Sequence, residues 1–197
     1  MGKSTWLLNE NIANQGDAQD YDSGWGHNYG IGATMWFTEN IGAGADLLVG
    51  RHTGDYIGTI NGMVYNSEVE LKIIEIPLLF KARSRNGFFV EGGPMVDFIT
   101  NATYSAENSE EELAKKDVSG EYPSTNLSAL FGFGFSKGIS DRIGVLLGFR
   151  FGYGITDLEG VDALGQPLTN TTMYPKQETT SAVFGGLQLG VSYIIGD

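Results

Sequence analysis

Residues 143–155, IGVLLGFRFGYGI, alternate strictly between two kinds of side chain. Every second position is apolar or aromatic, whereas four of the six positions between them are glycine and one is Arg150. Because successive side chains of a β-strand point to opposite faces, this pattern predicts a strand with one strongly apolar face. The apolar set consists of Ile143, Val145, Leu147, Phe149, Phe151, Tyr153 and Ile155.

The length and the glycine-rich face of this segment do not suit a soluble sheet. Strands of soluble proteins are commonly about 5–6 residues long, and their second face usually carries polar side chains that meet water. Glycine is unfavourable inside a strand unless something needs the space that it leaves. A membrane-spanning strand needs about 9–11 tilted residues, with apolar side chains outward and small or polar ones inward. The segment therefore favours a transmembrane β-strand.

The same alternation recurs along the rest of the chain, which favours one domain over residues 1–197. An eighth strand near residues 4–9 would complete an even number, although its alternation is poor. The sequence therefore predicts an all-β fold, an eight-stranded antiparallel up-and-down transmembrane β-barrel. The recurring segments are residues 29–37, 41–49, 72–82, 88–98, 127–137 and 183–193.

The connections between these segments alternate between short and long. Short turns are expected around residues 38–40, 85–87 and 138–140. Short turns at one end and long loops at the other are typical of an outer-membrane barrel, with the turns periplasmic and the loops outside the cell. A three-residue turn that ends on Gly87 would place Lys81 opposite Glu91 and Glu75 opposite Asp97, and an equivalent turn over residues 38–40 would place Trp36 opposite Gly42. The long loops are predicted near residues 10–25, 51–67, 103–123 and 156–180.

Composition excludes several other classes of protein. Glycine makes up 29 of the 197 residues and aromatic residues 12%, a combination that suits a curved sheet with a crowded interior. The formal net charge of −12 argues against nucleic-acid binding, because phosphates must be neutralised by Lys and Arg. Cysteine is absent, so disulfides and thiolate chemistry are excluded. The N-terminal residues do not have the apolar core of a signal peptide, so export is expected only for a mature form of the chain.

Five charged residues are predicted to face the interior as a lumen polar network: Glu75, Lys81, Glu91, Asp97 and Arg150. Side chains just fill an eight-stranded barrel, and an unpaired charge there would be costly. We therefore expect Lys81 and Arg150 to be surrounded by the carboxylates, with a structural role; a proton or ion path is the alternative. In this register Lys81→Met should lower barrel stability by leaving Glu91 unpaired.

The segment EIPLLFKARSRNGFFVEGGPMVDFI, residues 75–99, resembles the hallmark hairpin of the PorT-like outer-membrane β-barrel family of Gram-negative bacteria. The glycine-aromatic stretch of residues 132–154 is similar to a second hairpin of that family. The resemblance covers most of residues 25–195 and implies an eight-stranded barrel in the outer membrane. It implies no reaction. The chain departs from the family at its end, where Tyr193 is followed by Ile-Ile-Gly-Asp instead of being the final aromatic residue.

Other candidate sites give weaker signals. His27 and His52 are expected at loop ends, and no Ser is placed beside them by spacing, so catalysis is not expected. Three loop carboxylates, Asp17, Asp20 and Asp22, do not match a calcium-loop spacing and favour a solvated acidic loop over a metal site. Residues 109–117, SEEELAKKD, have the pattern of a short helix. Aromatic residues near strand ends suit interfacial girdles: Trp25, Tyr29, Phe37, Phe88, Tyr153 and Tyr193.

The sequence thus predicts a non-enzymatic protein of the bacterial outer membrane, with no cofactor and no metal. Its expected partners are outer-membrane lipid and, through acidic loops or the barrel wall, another envelope or surface protein. Two alternatives stay open at this stage. A soluble lipocalin-like barrel would turn the aromatic face inward around a small apolar ligand, and a lipid-modifying outer-membrane enzyme would depend on His27 or His52.

Overall fold

The computed structural model describes residues 1–60, 62–108 and 112–195, and strands of these residues form a closed barrel. Eight strands make up the ring, while the short strands β2 and β7 pair with the parts of β4 and β6 that extend beyond β3 and β8. In chain order the strands are β1 (Gly2–Leu8), β2 (Asp20–Asp22), β3 (Gly24–Trp36), β4 (Ile41–Ile60), β5 (Met63–Arg83), β6 (Phe88–Asn108), β7 (Glu112–Asp117), β8 (Thr125–Gly138), β9 (Ile143–Gly154) and β10 (Ser181–Tyr193).

Strand β1 closes the ring. Its Leu8 lies opposite Ser181 of β10, and its Gly2 lies opposite His27 of β3. The other ring strands pair antiparallel with the ring strands that precede and follow them in the chain. The predicted eight-stranded up-and-down barrel is therefore confirmed, with a first strand at residues 2–8 instead of 4–9.

The outer surface of the wall is apolar and the inner surface is not, as the alternation predicts. On β9 the outward side chains are 38–56% exposed, whereas the inward Arg150 is only 2% exposed. On β4 and β5 this apolar band ends at Val49 and Ile74, and mostly polar outward residues follow beyond them. The six predicted girdle aromatics are all exposed, by 37–71%.

The three predicted short turns lie at one end of the barrel, the turn end. The long connections lie at the other, the loop end, together with the short connection between β4 and β5. Strand β5 stops at Arg83 and β6 starts at Phe88, with the Ser84 amide donating to the Phe88 carbonyl at 2.8 Å. Gly87 has φ of 89°, a backbone conformation that favours glycine. The predicted register is confirmed: Lys81 lies opposite Glu91, Glu75 opposite Asp97, and Trp36 opposite Gly42.

The loop predicted near residues 51–67 is largely strand, and that prediction is wrong. Strands β4 and β5 continue past the apolar band, and their ladder extends to Ile60 opposite Met63. Inward side chains of this extension remain buried, His52 and Tyr56 among them. The alternation persists there, but apart from Ile57 and Val64 its outward positions are mostly polar, so a search for apolar faces does not detect it.

The region near residues 103–123 is also partly strand. Strand β6 runs to Asn108, and β7 pairs with it so that Thr103 lies opposite Asp117. The predicted short helix is wrong for residues 112–117, which form β7, while residues 109–111 lie outside the described part of the chain. Local helix signals are a weak prior, and pairing with the protruding edge of β6 overrides them here.

The connections at 10–25 and 156–180 have little regular structure. The first contains a helical turn, α1 (Glu10–Ala13), which is capped by the Asn9 side chain, before β2. The second contains an isolated bridge between Val161 and Pro167. Within the described ranges, no helix is both long and apolar enough to cross a membrane.

Candidate functional site: the polar lumen and the closed loop end

Arg150 is the centre of a first cluster of charges inside the barrel. Its Nε atom donates to Oε1 of Glu91 at 2.6 Å, and its Nη2 atom lies 2.8 Å from Oδ2 of Asp46. Nζ of Lys81 lies 3.1 Å from the second carboxylate oxygen of Glu91. A Cβ atom at Gly132 would come within 3.0 Å of Glu91 and 3.1 Å of Arg150, so glycine leaves the space that these side chains occupy. The cluster contains two cations and two carboxylates.

Glu75 is the centre of a second cluster, nearer the loop end. Its Oε1 atom lies 2.8 Å from Nζ of Lys3 and 3.0 Å from Nε2 of His52, while the Asn28 side chain donates to Oε2. Nζ of Lys3 also lies 4.8 Å from the ring centroid of Phe184, which His52 contacts edge-on. Each oxygen of the buried Glu75 carboxylate therefore has a hydrogen-bond donor.

Asp97 is held by neutral groups instead of by a cation. Its Oδ2 atom accepts from the Ser128 hydroxyl at 2.6 Å and from the Asn126 amide at 3.1 Å. In the described part of the chain, the Oδ1 atom is buried without a hydrogen-bond partner. Asp97 therefore lies beside the Glu75 cluster without a salt bridge of its own.

The structure places all five predicted network residues on the inner face, but it does not join them in one network. Lys81 pairs with Glu91, and Arg150 pairs with Glu91 and Asp46. In the described residues, neither cation pairs with Glu75 or Asp97. The expectation that Lys81→Met leaves Glu91 unpaired is also wrong, because Arg150 still binds this carboxylate. The structural role of the residues stays a prediction.

Three ionisable partners were missed by the sequence prediction: Lys3, Asp46 and His52. Asp46 has the same parity on β4 as the inward glycines, so the alternation itself already pointed to it. His52 lies six positions further along the same face, in a segment that was predicted to be a loop. Lys3 precedes the segment predicted for the first strand, where the alternation is poor, and no local signal identified it.

The two histidines do not share a site. His52 is buried in the lumen on β4, so its predicted place at a loop end is wrong, whereas His27 is exposed on the outer face of β3. Asp17 lies in a 3-10 turn, and Asp20 and Asp22 lie on β2. Across residues 1–60, 62–108 and 112–195, no group of three or more His, Asp or Glu side chains is arranged to hold a metal ion.

The long connection between β9 and β10 closes the loop end, and Asp162 organises it. This fully buried carboxylate accepts from the backbone amides of Leu164 and Gln166, both at 2.8 Å, and from the hydroxyl of Tyr174. Gln19 of the first connection lies 3.5 Å from its second oxygen. Burial and the bond to Asp162 raise the pKa of Tyr174, so its hydroxyl stays a donor.

The same connection is tied to the protruding strands. The carbonyl of Ala163 accepts from Ser67 at 2.6 Å and from Tyr104 at 3.1 Å. Under it lies an apolar core that shuts off the lumen, and the cavity left between His52, Asp97 and this core measures only about 10 Å³. The core includes Leu7, Ile12, Tyr56, Val69, Leu71, Ala102, Tyr122, Leu158, Val161 and Leu168.

Comparison with known proteins agrees with this architecture. The family model "Outer membrane protein beta-barrel domain" matches residues 4–160, which is most of the chain. Among solved structures, the chain is similar to the translocator domain of the autotransporter NalP from Neisseria meningitidis. The two share 13% identity over 98% of this chain and 88% of that one, with a TM-score of 0.31, and at that level the match adds nothing to the assignment. No curated protein matches the chain.

The outward aromatic face and the family match together exclude the soluble lipocalin-like alternative, which required that face to turn inward. A wall with an exposed apolar band and a charged, filled interior is the arrangement that a bilayer selects. The chain belongs to the outer membrane protein beta-barrel domain family, and it is an integral β-barrel of the bacterial outer membrane.

Proposed function

We propose that this barrel is a non-enzymatic, PorT-like protein of a Gram-negative outer membrane, whose loop end faces the outside of the cell as an interaction surface. The observation that carries the proposal is the closed loop end: a connection of the chain is hydrogen-bonded into the mouth instead of leaving it open. A rigid platform outside the membrane suits recognition, whereas an open pore needs a continuous aqueous lumen.

The lumen supports a structural role over transport. Both ion clusters are buried, and each charged group in them is matched by an opposite charge at 2.6–3.1 Å. Pairing of this kind stabilises a filled interior but offers no vacant path to a solute. His52 is engaged by Glu75 and packed against Phe184, which leaves it poorly placed to act on a lipid substrate.

The charge of the loop end suggests the chemistry of a partner. Its exposed surface is strongly acidic, whereas few lysines lie there, so a basic surface on another envelope or surface protein would be complementary. The carboxylates would also resist non-specific contact with other anionic surfaces. In the described part of the chain, the exposed acidic residues at this end include Glu10, Asp17, Asp20, Asp22, Glu107, Asp117, Asp157 and Glu159.

Single cysteines can test the orientation, because the chain has none of its own. A membrane-impermeant maleimide applied to intact cells should label a Thr171→Cys variant at the loop end. A matched Asn86→Cys variant at the turn end should react only after the outer membrane is permeabilised. Labelling in the reverse pattern would contradict an outward-facing loop end.

Two further measurements test the remaining parts of the proposal. Purified barrel in planar bilayers should show no stable open-pore conductance, since the lumen is filled. Vesicles that contain the barrel should not release fatty acid or lyso-lipid from their own lipids. A lipid-modifying activity that His52→Ala or His27→Ala abolishes would establish the enzyme alternative instead.

A further inference from the structure

The turn end of the barrel contains a polar cavity of about 300 Å³. It lies between the turn that joins β3 to β4, the turn that joins β5 to β6, and the end of β8. Its lining includes Glu39, Asn40, Arg83, Ser84, Arg85 and Ser136. This volume is at the lower end of the range for small-molecule sites. Two guanidinium groups and one carboxylate therefore border a space large enough for a small ligand.

Arg83 is held in place before any ligand arrives. Its guanidinium carbon lies 3.9 Å from the ring centroid of Trp36, and its Nε atom donates to the Glu39 carbonyl at 2.8 Å. Its backbone is fixed as well, since the Asn40 side chain donates to the Arg83 carbonyl at 2.7 Å. In the described residues the two terminal guanidinium nitrogens of Arg83 have no hydrogen-bond partner, so the fork that binds oxyanions is free.

Arg85 and Glu39 set the net charge of the cavity. Their side chains lie 4.0 Å apart and are 91% and 83% exposed, so this pair is weak and leaves Arg85 able to turn to a ligand. With Arg83 included, the lining carries one net positive charge. The surroundings reinforce this sign, because Lys137 and Arg142 also lie at the turn end, where Asp141 is the other acidic residue in the described chain.

We propose that this cavity binds a small oxyanion, a phosphate or carboxylate group that enters from the turn end. Arg83 supplies a preorganised bidentate donor pair, Arg85 supplies a second mobile cation, and Glu39 weakens binding by repulsion. On a chain whose net charge is −12, the cavity is a local exception that attracts anions. The site does not depend on which side of the membrane the turn end faces.

The experiment titrates the full-length barrel in a neutral detergent with inorganic phosphate and, separately, with succinate. Sodium chloride at matched ionic strength is the background, and calorimetry measures the dissociation constant. We expect saturable binding of one or both anions, and the stronger of the two identifies the ligand class. Arg83→Gln and Arg85→Gln should each weaken binding by about tenfold or more, whereas Glu39→Gln should strengthen it severalfold.

Lys137→Gln is the matched control, because it removes one positive charge from the same end of the barrel but outside the cavity. It should leave the dissociation constant within about twofold of the parent value. Saturable binding that Lys137→Gln weakens as much as Arg85→Gln would overturn the proposal in favour of general attraction. Absence of saturable binding to either anion would overturn it outright. If Arg83→Gln fails to fold, the opposite effects of Arg85→Gln and Glu39→Gln still decide the question.

Discussion

Nζ of Lys3 lies 2.8 Å from Oε1 of Glu75, although the two residues are 72 positions apart and both side chains are fully buried. Lys3 is on β1 and Glu75 on β5, strands that do not pair with each other in the ring. The contact therefore crosses the lumen and ties two separate parts of the wall together.

Lys3→Met should destabilise the barrel by about 3–5 kcal/mol, because it leaves the buried Glu75 carboxylate without its cation. Adding Glu75→Gln should recover much of this loss, since Gln carries no charge and can still bond to Asn28. Urea unfolding in detergent, monitored by the heat-modified shift on gels, measures the unfolding free energy of both variants. If the losses in unfolding free energy of the two substitutions simply add, the two residues are not coupled. Lys72→Met, at an exposed lysine, serves as the control.

Arg150→Met should cost far more stability than Lys81→Met. Arg150 is 2% exposed and serves Glu91 and Asp46, so its loss leaves two buried carboxylates short of a partner, at a cost of about 3–5 kcal/mol. Lys81 is 16% exposed and shares Glu91 with Arg150, so we expect about 1 kcal/mol. Guanidinium unfolding of both variants in the same detergent ranks them. Equal losses would contradict the central place of Arg150.

Asp162→Ala should loosen the connection between β9 and β10 while leaving the barrel folded. It removes the acceptor that holds the amides of Leu164 and Gln166 and the hydroxyl of Tyr174. Trypsin cleavage after Lys176, whose side chain is 79% exposed, should therefore be several times faster than in the parent protein. A matched Thr171→Ala variant in the same connection should cleave at the parent rate; acceleration there too would argue against a specific role of Asp162.

Asp55 should make the barrel less stable as the pH rises through about 6. It lies beyond the apolar band, and burial, followed by repulsion from Glu68 and Asp22, raises its pKa from 3.8 to about 6. A carboxyl group that is protonated more readily when folded contributes stability below pH 4, and this contribution is lost as the pH passes the folded pKa. Asp55→Asn should then stabilise the barrel by about 1 kcal/mol at pH 7.5, a value reduced for partial exposure.

The pH dependence of Asp55→Asn is the decisive part of that test. The gain in unfolding free energy should largely vanish by about pH 3, where the parent carboxyl is mostly protonated in both the folded and the unfolded state. Asp17→Asn, at an exposed position in the same region, should produce no comparable gain at either pH. A gain for Asp55→Asn of the same size at both pH values would mean that repulsion from the charged carboxylate is not its cause.

Gly152→Ala should destabilise the wall by about 1–3 kcal/mol through overpacking. A Cβ atom at this position would run into the ring of Phe184, which is itself buried. Gly92→Ala is the control, because the nearest atom to its added Cβ would lie at 3.4 Å. If the second substitution Phe184→Leu does not relieve Gly152→Ala, the clash is not the cause of the loss.

The alternation of apolar with small or polar residues predicted much of the wall correctly, because within each strand it shows which face meets lipid. The register of β5 on β6 also followed from sequence, since a turn ending on Gly87 leaves few ways to keep both apolar faces outward. The protrusion of β4 to Ile60 did not follow, because its outward residues are mostly polar and resemble a loop. The helix-like residues 112–117 became a strand only because β6 offers them an edge.

The sequence by itself determined the closed antiparallel barrel, its apolar exterior and the inward direction of Glu75, Glu91 and Arg150, because these depend on a period of two along each strand. Tertiary structure alone decided which charges meet. Lys3 pairs with Glu75, and Arg150 pairs with Glu91 and Asp46. Strand tilt and stagger decide these pairs, because they set which residues of distant strands lie at the same level along the barrel axis. The closing of the loop end by Asp162 is likewise a matter of contacts between segments far apart in the chain, which no local pattern encodes.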